Sequence, residues 1–155
     1  MVDPVVMTPL RRRWNEVRAE ADALLAAAES AKIAATRTRQ RNAFTAKIDA
    51  FLAELREVRV LDPACGSGNF LYIALERLLN LEKEVRLYRA MAGFPLGFPE
   101  ISPQQVLGME INEYAQELAQ VAIWIGYLQW MIRNGFGWSE PVLDELETIR
   151  LQEPC

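Results

Sequence analysis

Apolar residues recur along the first third of the chain at intervals of three and four. Leu10, Trp14, Val17, Ala21, Leu24, Leu25 and Ala28 share one side of a helical wheel, with Arg11, Arg12, Glu16 and Glu20 elsewhere on it. That is the pattern of an amphipathic helix. Thr8-Pro9 reads as its N-cap and first helical residue. The stripe is interrupted at Thr36-Arg37-Thr38-Arg39 and resumes at Phe44, Ile48, Phe51, Leu52 and Leu55. Residues 9–57 are therefore expected to form a helical hairpin or one bent helix. At Val58-Arg59-Val60-Leu61 the pattern changes to a short apolar run of the kind a buried strand uses. The run breaks at Asp62-Pro63, passes Gly66 and Gly68, and reopens at helical spacing with Phe70, Leu71, Ala74, Leu75, Leu78, Leu79, Val85 and Tyr88. The charged later part of this helix, Glu82-Lys83-Glu84 with Arg86 and Arg89, is expected at the surface.

Gly93, Pro95, Gly97, Pro99 and Pro103 mark a loop. Its Phe94 and Phe98 are expected to tack it to the core. Val106-Leu107-Gly108-Met109-Glu110 reads as a second strand, Asn112 as a helix cap and Glu113 as a first-turn acid. The helix from Glu113 to about Ile132 is apolar on nearly every side, which predicts burial on more than one face. Gly135 and Gly137 end it, and Ile149-Arg150-Leu151 reads as the start of a third strand. Strand, helix, strand, helix, strand is the first half of a doubly wound α/β sheet. The fold expected is a partial, Rossmann-like sheet of two to three strands over residues 58–155, preceded by a helical lead-in over residues 1–57. Right-handed crossovers put both later helices on one sheet face.

Composition narrows the function. The 155 residues suffice for one domain with a core, and 51% hydrophobic content is that of a globular protein. The net charge of −4 does not advertise a polyanion partner. Residues 1–59 hold 11 Lys/Arg against 8 Asp/Glu, and residues 60–155 hold 6 against 13. The mild basic bias of the first part, including Arg11-Arg12-Arg13, reads as a solvated helix face. The absence of histidine excludes Ser-His and Cys-His catalysis and every His-ligated metal site. Cys65 and Cys155 supply neither a disulfide framework nor zinc spacing, so no metal is expected and Cys65 reads as a small packing residue. The N-terminus lacks the form of a signal peptide, and the longest apolar run, Val121 to Ile125, is too short to span a bilayer. A soluble, cytoplasmic protein without a membrane partner is expected.

The strand–glycine turn–helix at residues 58–71 is the candidate site. Glycine lets a backbone approach a ligand with no Cβ in the way, and the first helical turn offers unpaired N–H groups and partial positive charge. Three ligand classes use such a turn. A P-loop requires a Lys-Ser/Thr after its last glycine, which is missing. A dinucleotide fold requires a third small residue, where Leu71 stands, and an acid roughly 20 residues on, whereas Glu110 lies 42 residues beyond Gly68. The third class is S-adenosyl-L-methionine, which carries no phosphate and tolerates a carboxylate such as Asp62 at the strand tip. Glu110, at the tip of the second strand, suits a ribose diol.

Asp62-Pro63-Ala64-Cys65-Gly66-Ser67-Gly68-Asn69-Phe70 resembles the S-adenosyl-L-methionine motif of class I DNA adenine-N6 methyltransferases. The likeness is greatest to the large bacterial restriction–modification enzymes that join modification and cleavage in one chain. Gly108-Met109-Glu110-Ile111-Asn112, followed by Ala115, Leu118, Ala119 and the run from Trp124 to Trp130, resembles the family's second motif. In the family a helical segment precedes the first strand, and residues 6–14 look like part of it. The resemblance implies S-adenosyl-L-methionine as cofactor and places Asp62 near its methionine part. It puts the backbone of Ala64, Gly66 and Gly68 along the turn, Phe70 close to the cofactor, Glu110 on the ribose and Ile111 at the adenine edge. It implies DNA as partner, through parts of the full-length enzyme not present in these 155 residues.

The family's catalytic Asn/Asp-Pro-Pro-Tyr/Phe motif, which holds and stacks a flipped adenine, has no counterpart. Asp3-Pro4-Val5-Val6 lacks the second proline and the aromatic, and Glu153-Pro154-Cys155 does not match. No catalytic residue is assigned, no target-recognition or nuclease motif is visible, and Glu153 is a poor match for the acid expected after a third strand. The expectation is a truncated, cofactor-binding portion of a site-specific DNA adenine-N6 methyltransferase of a restriction–modification system, inactive alone. The alternatives are a non-catalytic half that complements a separate catalytic chain, or a methyltransferase for another substrate such as RNA or protein. An unpaired first strand also predicts self-association.

Overall fold

Two long helices, α1 (Thr8–Ser30) and α2 (Ala34–Glu57), form the hairpin that the apolar spacing predicts. Ion pairs Arg13–Glu54 and Glu20–Lys47 bridge them in antiparallel order. The computed structural model in which they are seen describes residues 2–137. A π-helical turn, Asp3–Met7, leads into α1 without a break, so Thr8 is not an N-cap; its hydroxyl donates to the Asp3 carbonyl at 2.9 Å. The hairpin bends at residues 31–33, where Ala31 and Ile33 are extended. The threonine–arginine stretch lies inside α2. Threonine costs a helix only a few tenths of a kcal/mol or so, too little to stop one that is anchored by Phe44 and Ile48.

The chain then runs through β1 (Val60–Asp62), α3 (Asn69–Met91), a 3-10 turn at Pro103–Gln105, β2 (Val106–Gly108) and α4 (Glu113–Arg133). The strands are parallel, with Val60 opposite Val106, Leu61 opposite Leu107 and Asp62 opposite Gly108. The molecule is mostly helical around this two-stranded sheet. Alternation decides the sheet's faces: Val60 and Val106 are buried with Leu71 and Leu75, whereas Leu61 and Leu107 are 57% and 48% exposed. β1 has no second strand partner among the described residues.

One hydrophobic cluster joins hairpin, α3 and sheet. Trp14 stacks on Phe51 at 5.4 Å and meets Tyr88 edge-on at 5.5 Å, while Phe44 lies between Tyr88 and Phe94. Such aromatic pairs add about 0.5–1.5 kcal/mol each beyond the area they bury. Phe94 thus ties the loop to the core, but Phe98 stays 74% exposed.

Two surface expectations are reversed. Glu82 and Arg86 are buried, forming an ion pair. Glu82 also accepts the backbone N–H groups of Glu100 and Ile101 at 2.8 and 3.1 Å, so the returning loop covers this turn of α3. In α4, Ala119, Ile123, Gly126 and Trp130 are buried as a single stripe. Leu118, Val121, Ile125, Leu128 and Ile132 are each at least 46% exposed. The expected burial of α4 on several faces is absent among the described residues, because α3 is the one long element it packs against. No described helix is long and apolar enough to cross a membrane. The expected third strand at Ile149-Arg150-Leu151, and Glu153, lie outside the described residues.

Candidate functional site

The parallel ladder continues past both strands and shapes the turn. Met109 N–H donates to the Asp62 carbonyl at 2.9 Å, and Cys65 N–H donates to the Met109 carbonyl at 3.0 Å. Asp62 Oδ1 accepts Ala64 N–H at 3.1 Å, a local turn that aspartate favours. Cys65 then accepts Gly68 N–H at 2.8 Å, and α3 begins.

The two turn glycines serve different ends. Gly68, at φ +77°, faces inward: a Cβ there would lie 2.9 Å from that of Ala119. Gly66, at φ +52°, faces outward, with nothing within 4 Å of the place a Cβ would take. Open space over a left-handed glycine is what a ligand lying on the backbone needs.

Glu110 closes the turn from the other side. Its Oε2 accepts Gly66 N–H at 2.9 Å, and its Oε1 accepts the N–H groups of Ile111 and Asn112 at 2.9 Å each. The Asn112 N–H, followed by those of Gly66 and Ile111, holds the carboxyl below the usual carboxylate range against a smaller opposing effect of desolvation. Glu110 is therefore an anion at neutral pH. A carboxylate has about four acceptor positions, so one remains after these three bonds. Asn112 caps α4 as expected, accepting Ala115 N–H at 3.2 Å. Ile111 is fully exposed beside Glu110, and Met109 is 59% exposed. Asp62 Oδ2 accepts no hydrogen bond among the described residues.

Asp62, Ala64, Gly66, Glu110 and Ile111 thus gather at the C-terminal ends of the two strands. Gly68 supports them from behind. Phe70 lines a hollow of about 360 Å³ with Val6, Leu10 and Leu61. Two supports escaped sequence reasoning. Gly108 leaves room for Cys65, whose Sγ would be 2.6 Å from a Cβ at that position. Buried Gln105 donates to the carbonyls of Leu55 and Val58 at 3.0 Å and accepts Ser102 N–H, fixing β2 beside the start of β1. The Ser-x-x-Gln spacing of Ser102 and Gln105 was the available signal for the second. No group of acidic or cysteine side chains among the described residues could hold a metal ion.

The family profile of the MmeI DNA-methyltransferase domain matches residues 35–140, a stretch that contains the whole turn and Glu110. The chain belongs to this DNA-methyltransferase domain family. Within the MmeI-type domain, the matched stretch starts in α2, so it takes in half the hairpin as well as the sheet. The chain is similar to DNA methyltransferase A of Bacillus subtilis, 32% identical over 80 residues, which cover 51% of this chain and 9% of that protein. It is also similar to a Methanocaldococcus jannaschii protein named as a type II restriction enzyme and methyltransferase, 31% identical over 106 residues, or 63% of this chain and 8% of that one. The matched stretches therefore cover less than a tenth of the length of either relative. No solved structure matches it.

Proposed function

We propose that this chain is the cofactor-binding part of a restriction–modification DNA methyltransferase that uses S-adenosyl-L-methionine and acts on adenine N6. β1 and β2 are, on this reading, the first two strands of a Rossmann-like doubly wound sheet over residues 58–155, with residues 1–57 as its helical lead-in. The observation that carries the proposal is the pairing of an open left-handed Gly66 with the Glu110 carboxylate across the tips of adjacent parallel strands.

The residues present fit the cofactor. Glu110 retains one acceptor position for a ribose hydroxyl, and the free oxygen of Asp62 suits the ammonium of the methionine part. The exposed side chain of Ile111 offers an apolar edge to adenine. The backbone of Ala64, Gly66 and Gly68 forms the floor. Phe70, at the start of α3, completes the set. The cofactor supplies a methyl group on a positively charged sulfur; this chain binds and orients it. The group that holds the target adenine comes from sequence other than these 155 residues, in the same polypeptide or in a complementing one. DNA is the substrate proposed for that assembly.

Titration calorimetry with S-adenosyl-L-methionine tests the reading. The wild-type chain is expected to bind weakly, and Glu110→Ala to weaken binding about tenfold, as loss of a hydrogen bond to a charged acceptor does. Equal affinities would remove Glu110 from the site.

A further inference from the structure

Charge is distributed unevenly over the hairpin. Near its open end and along α3, cations face carboxylates: Arg11 with Glu84, Arg13 with Glu54, Lys47 with Glu20, Arg86 with Glu82. At the tip they do not. Residues 30–48 contain five Lys/Arg and no Asp/Glu. Lys32, Arg37, Arg39 and Arg41, together with Arg18 of α1, form no ion pair among the described residues.

Three of these arginines are held, but by neutral partners. Arg41 donates to the Ala92 carbonyl at 3.1 Å and lies 4.6 Å from the centre of the Phe94 ring. Arg37 donates to the Ala31 carbonyl at 3.1 Å, and Arg18 lies 5.4 Å over the Tyr88 ring. Carbonyls and ring faces orient a guanidinium without cancelling its charge. Arg18, Arg37 and Arg41 line a hollow of about 390 Å³ between the hairpin and the end of α3. Among the described residues the acids placed here are Glu29, in the same hollow, and Asp22, which accepts the Tyr88 hydroxyl at 2.6 Å. Five cations without an ion pair among the described residues, three of them oriented, outnumber these two acids and leave a positive surface on a chain whose net charge is −4.

We propose that the hairpin tip binds the phosphodiester backbone of DNA. This rests on the reading of the chain as part of a DNA methyltransferase. A guanidinium presents a planar fork of donors that matches phosphate oxygens. The tip lies at the opposite end of α3 from the glycine turn, since Arg41 bonds Ala92 just beyond Met91. The 23 residues of α3 span roughly 34 Å. Contacts there are remote from the cofactor site and serve affinity and placement of the duplex rather than choice of sequence.

Fluorescence anisotropy of a short mixed-sequence duplex with the 155-residue chain, across a series of salt concentrations, tests the proposal. Each neutralised phosphate contributes about −0.9 to the slope of log affinity against log salt. Lys32→Gln/Arg39→Gln alters two exposed side chains with no hydrogen bond in the structure and is expected to reduce the slope by about 2. Adding Arg37→Gln is expected to bring the reduction to about 3. A chain that does not bind the duplex, variants with an unchanged slope, or binding to phosphatidylserine vesicles in place of DNA would each overturn it. Cofactor calorimetry on the same variants is expected to be unchanged. DNA binding through the tip by a chain that ignores S-adenosyl-L-methionine would sink the cofactor reading and leave this one standing.

Discussion

Glu110 joins three backbone N–H groups from two segments far apart in sequence, Gly66 on one side and Ile111 and Asn112 on the other. Its lowered pKa gives the junction a pH dependence of known sign. A carboxyl with a depressed folded-state pKa stabilises the fold above its unfolded value, about 4.3 for Glu. That stabilisation is lost as pH falls through the lower folded value. In an acid titration followed by NMR, the amide protons of Gly66, Ile111 and Asn112 are expected to move together, with one midpoint below that of an unperturbed glutamate. Glu110→Gln is expected to abolish the shared midpoint. Three separate midpoints, or a common one at the ordinary value, would mean that the carboxylate does not hold the turn. At this scale much of the candidate site's geometry was legible. Asp62, Gly66, Gly68 and Glu110 stand out because a carboxylate at a strand tip and glycines after a strand have few other uses. The bond between Glu110 and Gly66 was not legible, because it depends on the Asp62–Gly108 register, which no local pattern encodes.

Among the elements, α3 is the one on which the others rest, and its contact with α4 depends on a missing side chain. A Cβ on Gly126 would lie 2.0 Å from the Tyr72 ring. Gly126→Ala must therefore separate the helices or turn the ring out, and over-packing of this kind costs typically 1–3 kcal/mol. Urea denaturation is expected to show a lower midpoint with an unchanged slope; a midpoint equal to that of wild type would show that the two helices are not in close contact there. Periodicity predicted the four long helices and the two strands of the described residues, since each has an apolar stripe or run of its own. It misjudged what covers them. Glu82 and Arg86 look like surface residues because charge normally means exposure, but residues 100–101 return over α3 and satisfy Glu82 with backbone N–H groups. The break in the hairpin was likewise misplaced, as threonine and arginine are tolerated in a helix whose other face is anchored.

The described residues have one continuous core and one uncovered side. Val60 makes ladder bonds to β2 alone among the described residues, and Leu61 and Leu107 face outward from the sheet. Along α4, Tyr114, Leu118, Val121, Ile125, Leu128 and Ile132 add a second exposed apolar row. An open strand edge is a template for pairing, and contiguous apolar surface on this scale marks a place where another surface sits. On the reading proposed above, the rest of a longer enzyme is the natural cover. For the isolated chain the cover at hand is a second copy. The purified protein is therefore expected to self-associate at tens of micromolar in light scattering and to bind a hydrophobic dye. Leu118→Glu/Ile125→Glu, which places two charges on the exposed row without touching the Ala119–Ile123–Gly126–Trp130 stripe, is expected to shift it toward monomer and reduce the dye signal. A wild-type chain that is monodisperse, monomeric and blind to the dye would show that this face is closed in solution and that the sheet edge needs no partner.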